Sequence, residues 1–362
     1  MNIDKIPLPS PDRRNEKKES SSSLYQYNQL NQNNPLEISD LVKLKHIEDM
    51  RKNIFNYQAL SDKSMFLPSN MKNVSIPHCN IILFGPSGSG KSSFIKSLYR
   101  ALYNNSYLPP EAMNKLIIKG HFENEGTLCF TRLHLKEQSK SSTGLILCDT
   151  RGHMSMKDDE KEQFKVLLTG NIKDDVKLEQ RKERNPFALW EFWKKDSELF
   201  PNEIFNATEA GLESIPHGLV FVFDGSNDDL FQEEEIPFYK ELVKISLKKG
   251  YENIHVILTR IDVFEKNENE RAKSLSPIVR STRVNTIKDE KIENVIKTLG
   301  VSRSNIHFIE NYHKGNDNEN NSGIDYHLLK TLLDVLNAAE LFILKYLNRS
   351  EMCLAGCFGR KG

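Results

Sequence analysis

The sequence predicts an α/β protein in which a mostly parallel sheet is flanked by helices, with a helical insertion and an N-terminal helix. Short apolar runs alternate with longer amphipathic segments, as expected of parallel strands joined by crossover helices. The first of these runs leads directly into the Gly-rich sequence Gly85-Pro86-Ser87-Gly88-Ser89-Gly90-Lys91-Ser92, and a helix-like segment follows. These two observations indicate a P-loop NTPase fold, and the motifs described below make it G-domain-like.

Six apolar runs have the length and composition of buried strands. They are residues 80–84, 128–135, 145–148, 219–223, 254–258 and 306–309. Helices are predicted over residues 92–103 and 235–249, over a stretch ending at 299, and over residues 326–347. Gly250 and Gly300 follow two of these helices, where a left-handed residue commonly ends a helix.

Composition divides the chain into four segments. Residues 1–35 combine charges, a serine run and Asn/Gln-rich sequence, which predicts a disordered leader. Residues 36–76 predict a docking helix followed by a linker, because apolar residues recur at helical spacing in the first part of this segment. Residues 77–348 form the predicted P-loop domain, and residues 349–362 a flexible tail.

Residues 157–216 are too many for an ordinary connection between strands and predict an insertion within the same domain. The insertion begins as an amphipathic helix and then carries the aromatic residues Trp190, Phe192, Trp193, Phe200 and Phe205. Two interpretations stay open. The aromatic residues form the insertion's own small core, or they form a surface for a protein partner.

Lys and Arg together number 50, as do Asp and Glu, so the formal charge is zero and no net basic field favours nucleic acid. Small molecules or proteins are the expected partners. No apolar run approaches the roughly 20 residues of a membrane span, and the first residues do not resemble a signal peptide. A cytoplasmic protein without a transmembrane segment is therefore expected.

Three of the five cysteines, Cys79, Cys129 and Cys148, lie in or beside strand-like runs and are expected to be reduced core thiols. The other two, Cys353 and Cys357, lie in the predicted tail, which is either acylated or simply disordered.

The Gly-rich sequence predicts a binding site for a nucleoside triphosphate. Glycines let successive backbone N–H groups point inward and form an anion site at the start of a helix. Lys91 supplies a positive charge to the outer phosphates, and the hydroxyl of Ser92 is a hard oxygen ligand for Mg²⁺. The predicted nucleotide-binding residues of this loop are Gly85, Ser87, Gly88, Ser89, Gly90, Lys91, Ser92 and Ser93.

A second motif, Asp149-Thr150-Arg151-Gly152, follows the third predicted strand. A carboxylate at this strand end can hold Mg²⁺, usually through water, and the Gly152 N–H can meet the γ-phosphate. The first switch also requires a threonine that binds Mg²⁺ and assists catalysis. Thr127 is the preferred candidate, since the alternative, Thr131, falls inside a strand. The predicted metal ligands are Ser92, Asp149 and Thr127.

His153 directly follows Gly152, at the position where GTPases place the side chain that orients the attacking water. A histidine can do this by hydrogen bonding. The competing interpretation is a surface histidine in a mobile loop, and the sequence favours neither.

The sequence Thr259-Arg260-Ile261-Asp262 ends the fifth predicted strand and varies the Asn/Thr-Lys-x-Asp motif of GTPases. The Asp262 carboxylate can accept two N–H groups of guanine, which adenine does not offer. Arg260 can lie along the base, and Thr259 can tie this loop to the P-loop. The last wall of the base pocket is expected to be formed by Glu310, Asn311 and Tyr312, which follow the sixth strand.

With these residues in view, the chain resembles the interferon-induced protein 44 family of P-loop GTPase-like proteins over about residues 47–347. The resemblance rests on the segments Asn56-Tyr57-Gln58-Ala59-Leu60, Gly85 to Phe94, Leu147-Cys148-Asp149-Thr150-x-Gly152, His217 to Asp224, Leu258-Thr259-Arg260-x-Asp262, Leu299-Gly300-Val301, Ser304-Asn305-Ile306, Asn311-Tyr312 and Ala338-Ala339-Glu340. It implies GTP binding, a cytoplasmic G-domain-like fold and a role in immune or stress responses. The Asn-rich leader, the long insertion, Arg260 and His153 depart from the family pattern.

These features predict a GTP-binding regulatory protein of the immune or stress-response type that hydrolyses GTP slowly, with GTP or GDP and Mg²⁺ as cofactors. The alternative is a non-enzymatic scaffold in which the guanine nucleotide is structural and the insertion binds partners. A P-loop kinase or ATPase is disfavoured by residues 259–262. Protein partners and nucleotide-dependent self-association are expected, but no partner can be named.

Overall fold

The computed structural model describes residues 35–61, 76–104, 109–118, 129–136, 142–153, 156–177, 202–206, 210–313 and 321–358. The chain divides into two compact units, residues 1–48 and residues 49–362. The predicted leader up to residue 34, most of the aromatic insertion and the candidate switch residue Thr127 lie outside the described residues.

The described helices are α1 (Pro35–Phe55), α2 (Lys91–Tyr103), α3 (Pro110–Met113), α4 (Asp158–Leu167), α5 (Ile236–Lys249), α6 (Ile261–Arg271), α7 (Pro277–Leu299) and α8 (Ser322–Phe358). The strands are β1 (Cys79–Phe84), β2 (Cys129–Lys136), β3 (Ser142–Asp149), β4 (Val176–Lys177), β5 (Gly218–Asp224), β6 (His255–Thr259) and β7 (Ile306–Phe308). A π-helical turn, Asn114–Ile118, continues α3, and short 3₁₀ turns lie at Asn202–Ile204 and Arg303–Asn305.

The strands form one seven-stranded sheet in the order β4-β2-β3-β1-β5-β6-β7. β1 pairs in parallel with both β3 and β5, and the parallel pairing continues through β6 to β7. Only β2 and β4, at one edge, run antiparallel to their neighbours. The predicted mostly parallel α/β sheet is therefore confirmed. β4 was not predicted, since two residues are too short to show an alternating pattern.

The central strands are apolar along their whole length because helices cover both faces of the sheet. Every residue of β1 is buried, and so are the first six residues of β5. On one face, α2 and α8 contact each other, and α8 also packs on β1 and β5. The main core contains side chains from the sheet and from α4, α5 and α7, including Phe84, Phe164, Phe221, Leu242 and Val295.

The two glycine stops are present as predicted. Gly250 ends α5 with φ of 99°, and Gly300 ends α7 with φ of 66°, a conformation that costs glycine little. The last helix differs from expectation, since α8 continues from the predicted end at residue 347 to Phe358. The added residues include Leu, Met, Glu and Ala, all strong helix formers, and contain no proline.

The described part of the insertion joins the main core. Its helix α4 contributes Phe164 and Leu167, and Phe205 packs against the same cluster. The backbone N–H of Lys173 donates to the carbonyl oxygen of Ile204 across 2.8 Å, which links two of the described pieces. Phe205 is therefore partly buried against the main core of the domain and not in a small core of the insertion alone, whereas the other four aromatic residues lie outside the described residues.

Two further findings bear on the expectations from composition. None of the described helices combines the length and the apolar character needed to cross a membrane. Cys79, Cys129 and Cys148 are free thiols, and burial raises the pKa of Cys79 and of Cys148 to about 12. The side chains of Cys353 and Cys357 lie outside the described ones.

Candidate nucleotide-binding site

The Gly-rich loop connects β1 to α2 at the carboxyl edge of the sheet. Gly88 and Gly90 have φ of 76° and 92°, in the left-handed region that residues with a Cβ rarely adopt. A Cβ at Gly85 would collide with the carbonyl oxygen of Val222 on the neighbouring strand. The glycines therefore let the loop curl tightly against the end of β5.

Lys91, the first residue of α2, folds its side chain back over this loop. Its Nζ donates to the carbonyl oxygens of Gly85, at 3.0 Å, and Pro86, at 2.8 Å. Only 5% of the residue is exposed, and burial lowers the pKa of Lys91 to about 8, although the charge of Asp149 opposes this shift. A bound phosphate would give this buried ammonium an anionic partner.

Ser92 and Asp149 converge beside Lys91. Ser92 Oγ donates to Asp149 Oδ2 at 2.5 Å, while Asp149 Oδ1 has no hydrogen-bond partner among the described residues. Asp149 is 1% exposed, and burial raises its pKa, which the Ser92 hydrogen bond and the Lys91 charge oppose. A buried carboxylate with one unpaired oxygen next to a hydroxyl is a donor set that fits Mg²⁺.

Of the two candidate threonines for the first switch, Thr131 lies within the described residues and Thr127 does not. Thr131 lies inside β2, opposite Asp149 of β3, and is 4% exposed, in agreement with its interpretation as a strand residue. Thr127 lies outside the described residues, so its predicted metal-binding and catalytic roles stay predictions.

The segment after Asp149 closes against the P-loop. The backbone N–H of Ser87 donates to His153 O at 3.0 Å, and the His153 N–H donates to Gly85 O at 3.3 Å, which forms an isolated parallel bridge. A Cβ on Gly152 would collide with the backbone of Ser87. Glycine at position 152 thus permits direct contact between the two loops.

The imidazole of His153 is inside the protein, so its interpretation as a surface histidine is wrong. The residue is 3% exposed, and Nε2 lies 2.7 Å from the hydroxyl oxygen of Tyr239 on α5. The ring stacks on Phe84 and also contacts the ring of Phe238. Burial, reinforced by the charge of Lys91, lowers the pKa of His153 to about 3. In this conformation the ring is a neutral, enclosed group.

Thr259, the last residue of β6, makes the predicted connection to the P-loop. Its Oγ1 donates to Ser89 O at 2.8 Å and approaches Phe223 O at 3.3 Å. The side chain is fully buried, and a Cβ at Gly90 would come within 3.0 Å of its hydroxyl oxygen. The threonine thus replaces the more common asparagine as the tie between the two loops.

Arg260 extends this connection and has a partner that sequence reasoning missed. Its guanidinium forms an ion pair with Asp224 at the end of β5, and Nη2 donates to Gly88 O at 3.3 Å. Arg260 has φ of 56°, a conformation unusual for arginine. Asp224 could have been suspected only because it ends a strand at the carboxyl edge, where ligands of such sheets bind.

Asp262 lies in the first turn of α6, with its side chain 26% exposed. His313 Nε2 is 3.5 Å from its Oδ2, and the Glu310 carboxylate belongs to the same cluster. The predicted guanine-binding carboxylate is therefore accessible, but it faces an imidazole and a second acid. Glu310 was predicted in the last wall of the base pocket, whereas His313 was not predicted as part of the site.

Of the three residues expected to complete the base pocket, Glu310 lies beside Asp262, Asn311 is buried and Tyr312 is held firmly. The Tyr312 N–H donates to Ser97 Oγ at 2.9 Å, and its hydroxyl donates to Asp325 Oδ1 at 2.8 Å. Arg100 lies over the Tyr312 ring, 4.1 Å from its centroid. These contacts fix the loop that follows β7.

The same cluster includes Arg51, near the end of α1. Arg51 Nη2 pairs with Asp325 Oδ2 at 2.8 Å, and its Nε donates to Ala101 O at 2.6 Å. The Asp325 side chain is 4% exposed, so Arg51 compensates a buried carboxylate.

A cleft of about 310 Å³ opens beside the P-loop. Pro86, Ser87, Gly88 and Ser89 line one side, and Arg260 with an acid-rich segment after β5 lines the other. Its position places open space directly next to the predicted phosphate loop, at the edge where parallel sheets bind ligands.

The strand order, the parallel pairing and the P-loop at the end of β1 define a P-loop protein with a G-domain-like α/β fold. Structures similar to this chain include the S. cerevisiae Ski7 GTPase-like domain, bound to GTP in one crystal structure and to GDP and inorganic phosphate in another. In both, sequence identity is 13%, the TM-score is 0.35, and the match covers 69% of this chain and 44% of the Ski7 chain. Similarity at this level carries no argument about function.

No protein-family model and no curated protein matches the sequence. The comparisons therefore do not support the expected membership of the interferon-induced protein 44 family. The fold class rests on the topology described above.

Proposed function

We propose that this protein binds GTP and GDP with Mg²⁺ and acts as a regulatory switch that hydrolyses GTP slowly. The observation that carries the proposal is the buried Asp149 carboxylate, which meets the Ser92 hydroxyl and keeps one oxygen unpaired among the described residues. Next to the Lys91 ammonium, this is the arrangement that a Mg²⁺-bound triphosphate requires. Most buried carboxylate oxygens in folded proteins have a hydrogen-bond partner, so the unpaired oxygen of Asp149 suits a ligand.

Guanine is the proposed base because the accessible Asp262 carboxylate, in a Thr-Arg-x-Asp motif, is the kind of group that accepts two N–H groups of the guanine edge. Two contacts hold the motif beside the P-loop, from Thr259 to Ser89 and from Arg260 to Gly88. His313 and Glu310 border the carboxylate, so a bound base would compete with the His313 contact.

Slow hydrolysis is supported by the enclosed position of His153. A residue that orients the attacking water must present its side chain to the γ-phosphate. The His153 ring instead bonds to Tyr239 and stacks on Phe84. The same observation favours a second candidate function, a non-enzymatic scaffold in which the guanine nucleotide is a structural ligand.

We further propose a cytoplasmic role in immune or stress responses, with protein partners and nucleotide-dependent self-association. Support comes from the resemblance of residues 147–152 and 258–262 to motifs of the interferon-induced protein 44 family. A transcript or protein level that fails to respond to immune or stress stimuli would contradict this part of the proposal.

The decisive experiment is extraction of nucleotide from the purified protein, followed by chromatography. We expect GDP or GTP in the wild-type extract and little nucleotide from Lys91→Ala, with Lys240→Ala on the surface of α5 as the matched lysine control. Single-turnover assays would then separate the switch, which converts GTP to GDP, from the scaffold, which does not. Adenine nucleotide in the wild-type extract would overturn the guanine assignment.

A further inference from the structure

We propose that His153 is a positioning residue whose bond to Tyr239 holds Gly152 against the P-loop, so that the protein prefers a nucleoside triphosphate over the diphosphate. This inference rests on the proposed nucleotide binding. It assigns His153 a role different from water orientation, and it gives Tyr239, which no motif identifies, a part in ligand selection.

The backbone after β3 contacts the P-loop directly. β1 and β3 pair in parallel up to Ile82 and Cys148, and the Asp149 segment then returns to the P-loop through the bridge between Pro86 and His153. The bridge consists of two hydrogen bonds, of 3.0 Å and 3.3 Å. Two backbone hydrogen bonds of this kind contribute only modest net stability, so a side-chain anchor would strengthen the closed loop.

The side chain of His153 supplies this anchor. The His153 ring lies among Phe84, Phe238 and Tyr239, with centroids 5.3 to 5.5 Å away. The Tyr239 ring is in turn held by Phe223 and by Phe231. The bond from Nε2 to the Tyr239 hydroxyl therefore joins the loop to α5, an element packed in the main core.

The closed loop would act on the terminal phosphate of the nucleotide. A P-loop binds the inner phosphates through its own backbone N–H groups, whereas the Gly152 N–H would serve the terminal phosphate. A loop that is already closed loses less conformational freedom when it makes that contact. Release of the anchor should therefore weaken GTP binding and leave GDP binding nearly unchanged. Loss of a residue that only orients water would give a different result. It would lower the hydrolysis rate and leave ground-state affinity for GTP unchanged.

The test is Tyr239→Phe, which removes the hydroxyl and keeps the ring, together with His153→Phe, which keeps an aromatic side chain but cannot form the bond. The control is Tyr251→Phe, since the Tyr251 hydroxyl donates to Pro216 O at 2.6 Å in the same core. Affinities for GDP and for a non-hydrolysable GTP analogue are measured by titration with Mg²⁺, alongside single-turnover hydrolysis and thermal unfolding.

We expect each single variant to lower the ratio of GTP-analogue to GDP affinity about tenfold, the size of one lost charge-assisted contact, here that of the Gly152 N–H with the terminal phosphate. The double variant should lower the ratio no further, because both substitutions break the same bond. The control should keep the wild-type ratio. An unchanged ratio in folded Tyr239→Phe, or equal weakening of both nucleotides, would overturn the inference. Failure of wild-type protein to bind either nucleotide would instead refute the proposed function.

Discussion

The hydroxyl of Ser92 and the carboxylate of Asp149 meet across 2.5 Å, although the two residues lie 57 positions apart in the chain. β1 and β3 are adjacent parallel strands, so their carboxyl ends deliver both residues to one edge of the sheet. The pair is the centre of the proposed Mg²⁺ site and gives the first prediction.

Asp149→Asn should make GTP binding insensitive to Mg²⁺, because the amide keeps the shape of the carboxylate and removes its charge. The expected affinity in Mg²⁺ falls at least about tenfold, as for one lost charged contact. Titrations of both proteins in Mg²⁺ and in EDTA measure this. Equal Mg²⁺ dependence of the two proteins would argue against the site.

Lys91→Ala should abolish detectable triphosphate binding, since Lys91 is the buried cation of the loop. Each lost charge-assisted contact is worth roughly 1.5 to 3 kcal/mol, a tenfold or greater loss of affinity. Lys91→Met fills the same volume without a charge and should behave in the same way. Circular dichroism checks the fold, and a folded variant with wild-type GTP affinity would remove Lys91 from the phosphate site.

Asp262→Asn should move base preference from guanine toward xanthine, because the amide donates where the carboxylate accepts and xanthine carries a carbonyl at C2. In the unmutated protein, two charged hydrogen bonds worth on the order of 3 kcal/mol predict at least about a hundredfold preference for GTP over ATP. Competition titrations with GTP, ATP and XTP test both statements. Similar ATP and GTP affinities would mean that Asp262 does not read the base.

Acid should destabilise the protein partly through His217. Its Nδ1 accepts from the Asn80 N–H at 2.9 Å, and its Nε2 lies 2.7 Å from Leu212 O, so the neutral ring fits this site. Burial lowers the pKa of His217 to about 4 from an ordinary value of 6.5. The unfolded chain therefore binds a proton first as the pH falls, and the stabilisation present above pH 6.5 is lost toward pH 4.

The loss assigned to His217 is on the order of 3 kcal/mol, approached with a slope of at most about 1.4 kcal/mol per pH unit. Denaturant unfolding of wild-type protein and His217→Gln from pH 7 to pH 4 measures it. The variant should be less stable at pH 7 and show a shallower slope. Parallel slopes would exclude His217, because the pH dependence common to both proteins arises from the other titratable groups.

Local chemistry explains what could be read from the sequence. The loop from Gly85 to Ser92 and the helix stops at Gly250 and Gly300 depend on neighbouring residues, and apolar runs mark strands that are buried on both faces. The motif from Thr259 to Asp262 was identifiable because strand ends gather at one edge in a parallel sheet.

The remaining features depend on packing between distant segments. His153 and Tyr239 are 86 residues apart, and Arg260 and Asp224 are 36 apart, so no local pattern shows either contact. The burial of His153 follows from the surrounding aromatic rings, which a search for catalytic spacing does not consider. The extension of α8 depends on helix propensity, which locates helix ends poorly.

The contact between Arg51 and Asp325 determines where a truncated chain could begin. A chain that starts at Pro77, the predicted first residue of the P-loop domain, would remove the ion pair of Arg51 with the buried Asp325 carboxylate and the hydrogen bond of Arg51 to Ala101 O. Removing one partner of a buried pair is strongly destabilising. The autonomous folding unit therefore begins upstream of Arg51, and a minimal fragment for biophysical work should retain this end of the first helix.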